Sequence, residues 1–194
     1  MQAREAEFLR IVQSDPDIAA ILAAMPAFGA PDCWLVSGAL FQTVWNALDG
    51  LPRGHAVLDY DLFYFDEDTS EETEDRWIKR AKIHFAFAAR EVQLRNQARV
   101  HLWYSKKFGI DYPQLHSSCD GVRQFLMPAC MVAVRPQSDG TLELFAPLGL
   151  DDIFDRVIRP NPLWQGPPRR EYLAKAERYM RDWPSLRFAS GEAA

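Results

Sequence analysis

The sequence has few cysteines and no long apolar run. Its three cysteines, Cys33, Cys119 and Cys130, are far apart, and no two of them form a CxxC pair. An odd count without paired spacing disfavours a disulfide framework or a zinc module and fits a reduced cytoplasm. No apolar stretch approaches the ~20 residues that a bilayer-spanning helix needs, and the charged first residues are unlike a signal peptide. We therefore expect a cytoplasmic protein without a transmembrane helix.

The chain also lacks the excess of positive charge that broad nucleic-acid-binding surfaces carry. Lys and Arg number 22 and Asp and Glu number 27, which gives a formal net charge of −5. Nucleic acid is therefore not an expected partner, although a small basic pocket for a nucleotide remains compatible with this charge. At 194 residues and 48% hydrophobic composition, the chain can bury a full core. We expect one domain over residues 1–194, with a core at about 15–110 and a C-terminal extension at about 111–194.

Apolar spacing and turn residues predict that strands alternate with helices. The predicted strands of the core lie at 33–36, 57–65 and 91–96, and the helices that follow them lie at 39–48, 69–88 and 97–108. A β-hairpin is predicted over 129–145, and the prolines within 159–168 indicate an extended linker. A last helix is predicted over 169–182, in which Glu171 and Lys175 have the spacing of an i,i+4 ion pair.

The first candidate site is a Ser-Gly pair between a predicted strand and a predicted helix. Glycine at such a turn lets a phosphate approach the backbone, and the free N–H groups and positive dipole of a helix N-terminus attract anions. Ser37 and Gly38 are therefore candidates for binding phosphate. The same pair is also typical of a tight strand-to-helix turn that binds no ligand.

The second candidate site is a pair of aspartates in an otherwise apolar strand. Alternation places Asp59 and Asp61 on one face with their Cβ atoms ~7 Å apart. The two charges repel and aspartate is disfavoured in strands, so a divalent cation between them would explain the pair. Mg²⁺ is usually held by one or two carboxylates together with substrate phosphates. Two solvated acids on an edge strand are the alternative.

Five stretches of the chain together carry a resemblance to a known family. They are WLVSGA at 34–39, HAVLDYDLFYFD at 55–66, RNQARVHLWY at 95–104, APLGLDD at 146–152 and RPNP at 159–162. With a Ser-Gly turn, a helix and a paired-carboxylate strand in that order, the chain resembles small bacterial proteins of the DNA polymerase β-type nucleotidyltransferase superfamily. The resemblance implies an α/β (α+β) nucleotidyltransferase fold, in which helices flank a small mixed sheet and a hairpin and helix follow at the C-terminus.

The resemblance also implies roles for the candidate residues. Ser37 and Gly38 would form the triphosphate-binding turn, and Asp59 and Asp61 would be the catalytic, metal-binding carboxylates. Mg²⁺, or Mn²⁺, would then hold the phosphates of an NTP while its NMP group passes to an acceptor hydroxyl. The implied partners are an NTP and an unidentified acceptor, either a small molecule or a protein, with no membrane involved.

The sequence departs from the superfamily at the third carboxylate. The resemblance places that acid at Gln93, which offers a carbonyl oxygen but neither a charge nor a base, and Glu91 and Asp66 are the alternative acids. Gln93, Asn96 and Arg99 are candidate nucleotide contacts, with Arg99 pairing a phosphate. A solvated helix N-terminus is the alternative for the last two. Two functions are therefore open: an NMP transferase, and a catalytically impaired nucleotide-binding or protein-interaction module.

Overall fold

The structure, a computed structural model, describes residues 2–109, 111–163 and 170–189. In chain order its elements are α1 (Gln2–Gln13), α2 (Pro16–Phe28), β1 (Trp34–Val36), α3 (Gly38–Asp49), β2 (Tyr60–Tyr64), α4 (Glu71–His84), β3 (Val92–Asn96), α5 (Val100–Phe108), α6 (Ser118–Arg123), β4 (Ala133–Pro136), β5 (Leu142–Phe145), α7 (Asp151–Phe154), β6 (Val157–Ile158), α8 (Arg170–Asp182) and β7 (Arg187–Phe188). Across the described ranges, no helix has the length and apolar character needed to span a membrane.

Local sequence determines where the helices begin and end. The Asp15 carboxylate accepts hydrogen bonds from two backbone N–H groups in the first turn of α2, and Pro16 occupies the first helical position. α2 ends at Gly29, whose φ of 70° is readily adopted only by glycine. Ser70 caps α4 by accepting a hydrogen bond from the backbone of Thr73. The Ser70 cap confirms the start expected for the helix predicted at 69–88.

The strands form a five-stranded mixed sheet in the order β3-β2-β1-β4-β5. β2 and β3 are parallel, and the chain between them includes α4, as a parallel pair requires. The other neighbours in this sheet are antiparallel, and β4 with β5 forms the expected hairpin. β6 and β7 form a separate two-stranded parallel sheet. The expected mixed sheet with flanking helices is therefore confirmed.

The two faces of the central sheet have different environments. One face belongs to the main apolar core, together with residues of α1, α2, α3 and α8. The strand residues in that core include Leu35, Leu62, Leu94 and Val134, all almost fully buried. Since strand residues alternate between faces, their neighbours in sequence lie on the opposite side. A smaller apolar cluster, around Trp34, Val36 and Val122 of α6, covers part of that second face.

Element boundaries differ from the sequence prediction in several places. The strand expected at 57–65 begins only at Tyr60, so Asp59 lies just before β2. α4 ends at His84 rather than at residue 88, and the chain then passes through turns to β3. Residues 164–168 of the predicted linker, and residue 169 of the predicted last helix, lie outside the described residues.

Candidate functional site

The turn after β1 has a strained backbone. Ser37 has φ 53° and ψ −115°, a conformation that residues with a Cβ rarely adopt. Its backbone N–H donates to the Val132 carbonyl at 2.8 Å, and its own carbonyl accepts from the Leu40 N–H at 2.9 Å. The buried side chain lies beside the Cys130 thiol and does not cap the helix. The surrounding structure thus holds the turn in an unfavourable conformation, as is frequent at functional sites.

The N-terminus of α3 is open to an anion. The Ser37 side chain accepts no bond from the first N–H groups of the helix, and the first turn contains no acidic residue. A Cβ added at Gly38 would meet no heavy atom closer than the Gln42 Oε1, at 4.0 Å. Free backbone donors and the helix dipole are the features by which helix N-termini bind phosphate.

Both aspartates and Gln93 come together on the second face of the sheet. Asp61 is the register partner of Gln93 on β3. Asp59 lies just before β2, and its carboxylate is close enough to Asp61 to act on the pKa of Asp61. The Gln93 Nε2 donates to the Asp59 Oδ2 at 2.9 Å. Antiparallel pairing of Val36 with Asp61 brings the end of β1, and with it Ser37, beside the carboxylates. The structure therefore gathers the predicted turn, the predicted pair and Gln93 in one place.

The charge of Asp61 is unfavourable in this environment. Burial, and secondly the neighbouring Asp59 carboxylate, raise the pKa of Asp61 to about 6. Lys175 and Arg95 act in the opposite direction but do not cancel the effect. A cation bound between the two carboxylates would favour the ionised form of Asp61.

The donor set fits a cation that is shared with a substrate. In the parts of the chain that the structure describes, no three His, Cys, Asp or Glu side chains are arranged to hold a metal ion. Asp59 and Asp61 supply two carboxylates, and Gln93 offers an amide oxygen beside them. Mg²⁺ commonly takes one or two carboxylates and completes its octahedron with water and substrate phosphates. These residues therefore suit Mg²⁺ in complex with a phosphorylated ligand.

The side chains of Asn96 and Arg99 make their contacts with α4 and the loop before it. The Asn96 side chain accepts from the Asp66 N–H at 3.1 Å and donates to the Asp66 carbonyl at 2.9 Å. The Arg99 guanidinium is only 8% exposed and lies 3.3 Å from a Glu74 oxygen and 3.6 Å from a Glu71 oxygen. The structure does not bring either side chain to the paired aspartates.

The alternative acids also lie apart from the pair. The Asp66 carboxylate accepts a hydrogen bond from the Asp68 N–H at 3.0 Å, in the loop after β2. Glu91 is exposed and immediately precedes β3. No third carboxylate therefore joins Asp59 and Asp61 within the described residues.

A cleft that the sequence prediction missed continues along the same face. It is about 260 Å³ in volume, and its walls include Phe63 and Arg95. These two residues are register partners, each two residues after Asp61 on β2 or Gln93 on β3. Alternation along each strand is a signal that Phe63 shares a face with Asp61 and Arg95 with Gln93, but only the pairing of β2 with β3 brings Phe63 and Arg95 together. Lys175 also lines the cleft and forms no ion pair with Glu171, contrary to the sequence prediction. Its place there depends on how α8 packs, which helical spacing alone cannot reveal.

Comparison with known proteins gives two findings. A family model described as nucleotidyltransferase matches residues 23–188, which include every candidate site residue. A solved structure is similar to the chain with a TM-score of 0.77 and 26% sequence identity, and the alignment covers 95% of each chain. Its description states that the NMR structure of the protein reveals a CCA-adding enzyme head domain. No curated protein matches the chain significantly.

Proposed function

Because the chain belongs to this nucleotidyltransferase family, we propose that it transfers the NMP group of an NTP to an acceptor hydroxyl, with Mg²⁺ or Mn²⁺ as cofactor. The proposal rests on one observation: the end of β1, with the Ser37–Gly38 turn, lies beside Asp61, and the Asp59 carboxylate is also a neighbour of Asp61. When bound, the cation would neutralise phosphate charge and polarise the phosphorus–oxygen bonds. The fold shared with the CCA-adding enzyme head domain supports the proposal.

Each part of the site has a task in this reaction. The free N–H groups at the start of α3 would bind the β- and γ-phosphates, and Asp59 and Asp61 would hold the cation. The acceptor oxygen forms a bond to the α-phosphorus, while the bond from that phosphorus to the bridging oxygen breaks. Pyrophosphate leaves with the electron pair. The hydroxyl proton passes to water, because the Gln93 amide cannot accept it.

Gln93 favours a second function, a nucleotide-binding or protein-interaction module with impaired catalysis. It is the strand partner of Asp61, and its Nε2 donor is bonded to Asp59. A neutral amide at this position cannot supply the negative charge with which a third carboxylate would help to bind a second cation. Gln93→Glu distinguishes the two functions: a gain of NMP transfer would support lost catalysis in the wild type. An unchanged rate in an already active protein would support a transferase that works without a third acid.

Thermal unfolding with Mg²⁺ or Mn²⁺ and each of the four NTPs tests the nucleotide site. A ligand that binds only the folded state raises Tm by mass action. We expect at least one NTP to raise Tm only when metal is present, and this response to vanish in the Asp59→Asn/Asp61→Asn double variant. Asp75→Asn, which changes an exposed acid on α4, is the control and should respond as the wild type does. If none of the four NTPs raises Tm in the presence of metal, the proposal is contradicted.

A further inference from the structure

We propose that the cleft beyond Asp61 binds the acceptor, and that the acceptor is a small planar molecule with an anionic group. This inference rests on the proposed transferase function. The cleft measures about 260 Å³ and has five aromatic side chains in its walls: Phe63, Trp103, Tyr104, Tyr112 and Phe125. Its remaining lining includes two cations, Arg95 and Lys175.

The position of the cleft relative to Asp61 suits the attacking group. In phosphoryl transfer the attacking and leaving oxygens lie on opposite sides of the phosphorus. Ser37 follows Val36, the partner of Asp61, and so lies toward the amino end of β2, whereas Phe63 lies two residues toward its carboxyl end. A triphosphate with its leaving group at the Ser37–Gly38 turn and its α-phosphate at Asp61 therefore presents its attacked side to the cleft.

The aromatic walls fit a planar ligand. The rings of Phe63 and Phe125 are stacked, with centroids 5.5 Å apart and planes 22° from parallel. Tyr104 packs against Trp103 and, at 4.3 Å between centroids, against Tyr112. Aromatic faces of this kind bind planar rings by stacking. A volume of about 260 Å³ is below the ~300–1,000 Å³ of drug-sized sites, so it suits one ring system rather than a polymer segment.

The two cations call for a negative charge on the ligand. Neither Arg95 nor Lys175 forms an ion pair within the described residues: the Arg95 Nη1 donates to the Leu94 carbonyl at 3.1 Å, and the Lys175 Nζ lies 5.9 Å from the Tyr179 ring centre. Two such cations in one cleft of an acidic protein attract an anion, and an arginine fork suits a phosphate or carboxylate.

Nucleoside monophosphates carry this combination of ring and anion and serve as probes. Calorimetric titration of AMP and CMP, without metal, is run on the wild type and on the Asp59→Asn/Asp61→Asn double variant. We expect at least one nucleotide to bind both proteins and to bind the double variant at least as tightly, because the cleft does not include the two carboxylates and the variant removes a negative charge that faces Arg95 and Lys175. Ribose 5-phosphate, which has the anion but no ring, should bind at least about tenfold more weakly.

Variants locate the binding. Trp103→Ala and Lys175→Met should each raise the Kd of the nucleotide at least about tenfold, while a cooperative thermal unfolding transition shows that both variants still fold. Phe87→Ala and Lys82→Met remove an exposed aromatic and an exposed cation outside the cleft, and they should leave Kd unchanged.

Five results would overturn the inference in different ways. No binding of either nucleotide, or equal binding of ribose 5-phosphate, would exclude a planar anionic ligand. Unchanged affinity in both Trp103→Ala and Lys175→Met would place the ligand elsewhere. An oligoribonucleotide that binds tenfold more tightly than AMP would contradict a small acceptor. If AMP binds at the cleft but no NTP raises Tm in the presence of metal, the cleft is a binding site, and both the transferase function and the acceptor role are overturned.

Discussion

At the residue scale, the candidate site contains groups that oppose the stability of the fold. Ser37 has a positive φ that its Cβ disfavours, and Asp61 carries a carboxylate in a largely buried position beside another carboxylate. Neither feature helps to form the sheet or the core. Local rules are commonly broken where function requires a particular arrangement, and both exceptions here fall in the same place.

Ser37 allows the backbone strain to be measured. We expect Ser37→Gly to be more stable than Ser37→Ala by about 1 kcal/mol, because glycine accepts the observed φ without strain while alanine retains it. Both variants lack the hydroxyl, so the comparison isolates the backbone. Urea unfolding gives the two free energies, and equal values would show that the turn is not strained.

Asp61→Asn is expected to stabilise the protein in the absence of metal and nucleotide. The pKa of Asp61 is raised from 3.8 to about 6 by burial and by Asp59, so the folded state binds more protons than the unfolded state between these values. Wild-type stability therefore falls as pH rises through that window.

Asparagine does not titrate, so the advantage of the variant should grow from pH 4 to pH 6, the window of this pKa shift, by about 3 kcal/mol and then stay constant. Urea unfolding across this pH range measures the difference. An advantage that does not change with pH would contradict the unfavourable charge at Asp61.

At the scale of elements, features that depend on neighbouring residues could be predicted from the sequence, whereas the pairing of distant strands could not. The Ser37–Gly38 turn and the nearness of Asp59 to Asp61 follow from neighbouring residues, and the structure contains both, although Asp59 lies just before β2. The pairing of β2 with β3 depends on the crossover through α4, which alternation within one strand cannot reveal. The sequence therefore identified the carboxylates but not Phe63 and Arg95 as walls of an adjoining cleft.

The contacts of Arg99 illustrate the same limit. From sequence, Arg99 and Asn96 are a polar cluster after a strand, and a nucleotide contact stays a prediction for both. In the structure, α4 supplies Glu71 and Glu74 to the Arg99 guanidinium. Only the packing of that helix determines which groups the side chain contacts, so we infer that Arg99 positions α4 against β3.

Arg99→Met tests this role. We expect the variant to lose about 1–3 kcal/mol of stability, because the largely buried Glu74 carboxylate would lose its cation. The Tm increase caused by metal and NTP should remain that of the wild type. Lys82→Met, at an exposed lysine of α4, is the control and should change stability by less than about 0.5 kcal/mol. A selective loss of the NTP response in Arg99→Met would instead support a phosphate contact.

At the scale of the whole molecule, the central sheet has its main apolar core on one face and candidate site residues on the other. One face belongs to the main core, and the other carries Asp61, Gln93 and the cleft, with the Ser37–Gly38 turn at the end of the neighbouring strand β1. α8 takes part in both: Trp183, just after the helix, is fully buried and donates to the Asn46 Oδ1 at 2.8 Å, while Lys175 lines the cleft. The family and the fold were predictable because their motifs occur in order along the chain. The contribution of α8 was not, because it depends on packing against distant residues.

The central claim is that Asp59 and Asp61 bind a divalent cation together with an NTP. Electron paramagnetic resonance of Mn²⁺ tests it most directly, because it measures free and bound metal without any acceptor. We predict that the wild-type protein and an NTP together bind more Mn²⁺ than the sum of what the protein and the NTP bind separately. The Asp59→Asn/Asp61→Asn double variant should lose this effect and Asp75→Asn should keep it. Equal Mn²⁺ binding by the wild type and the double variant in the presence of every NTP would contradict the claim.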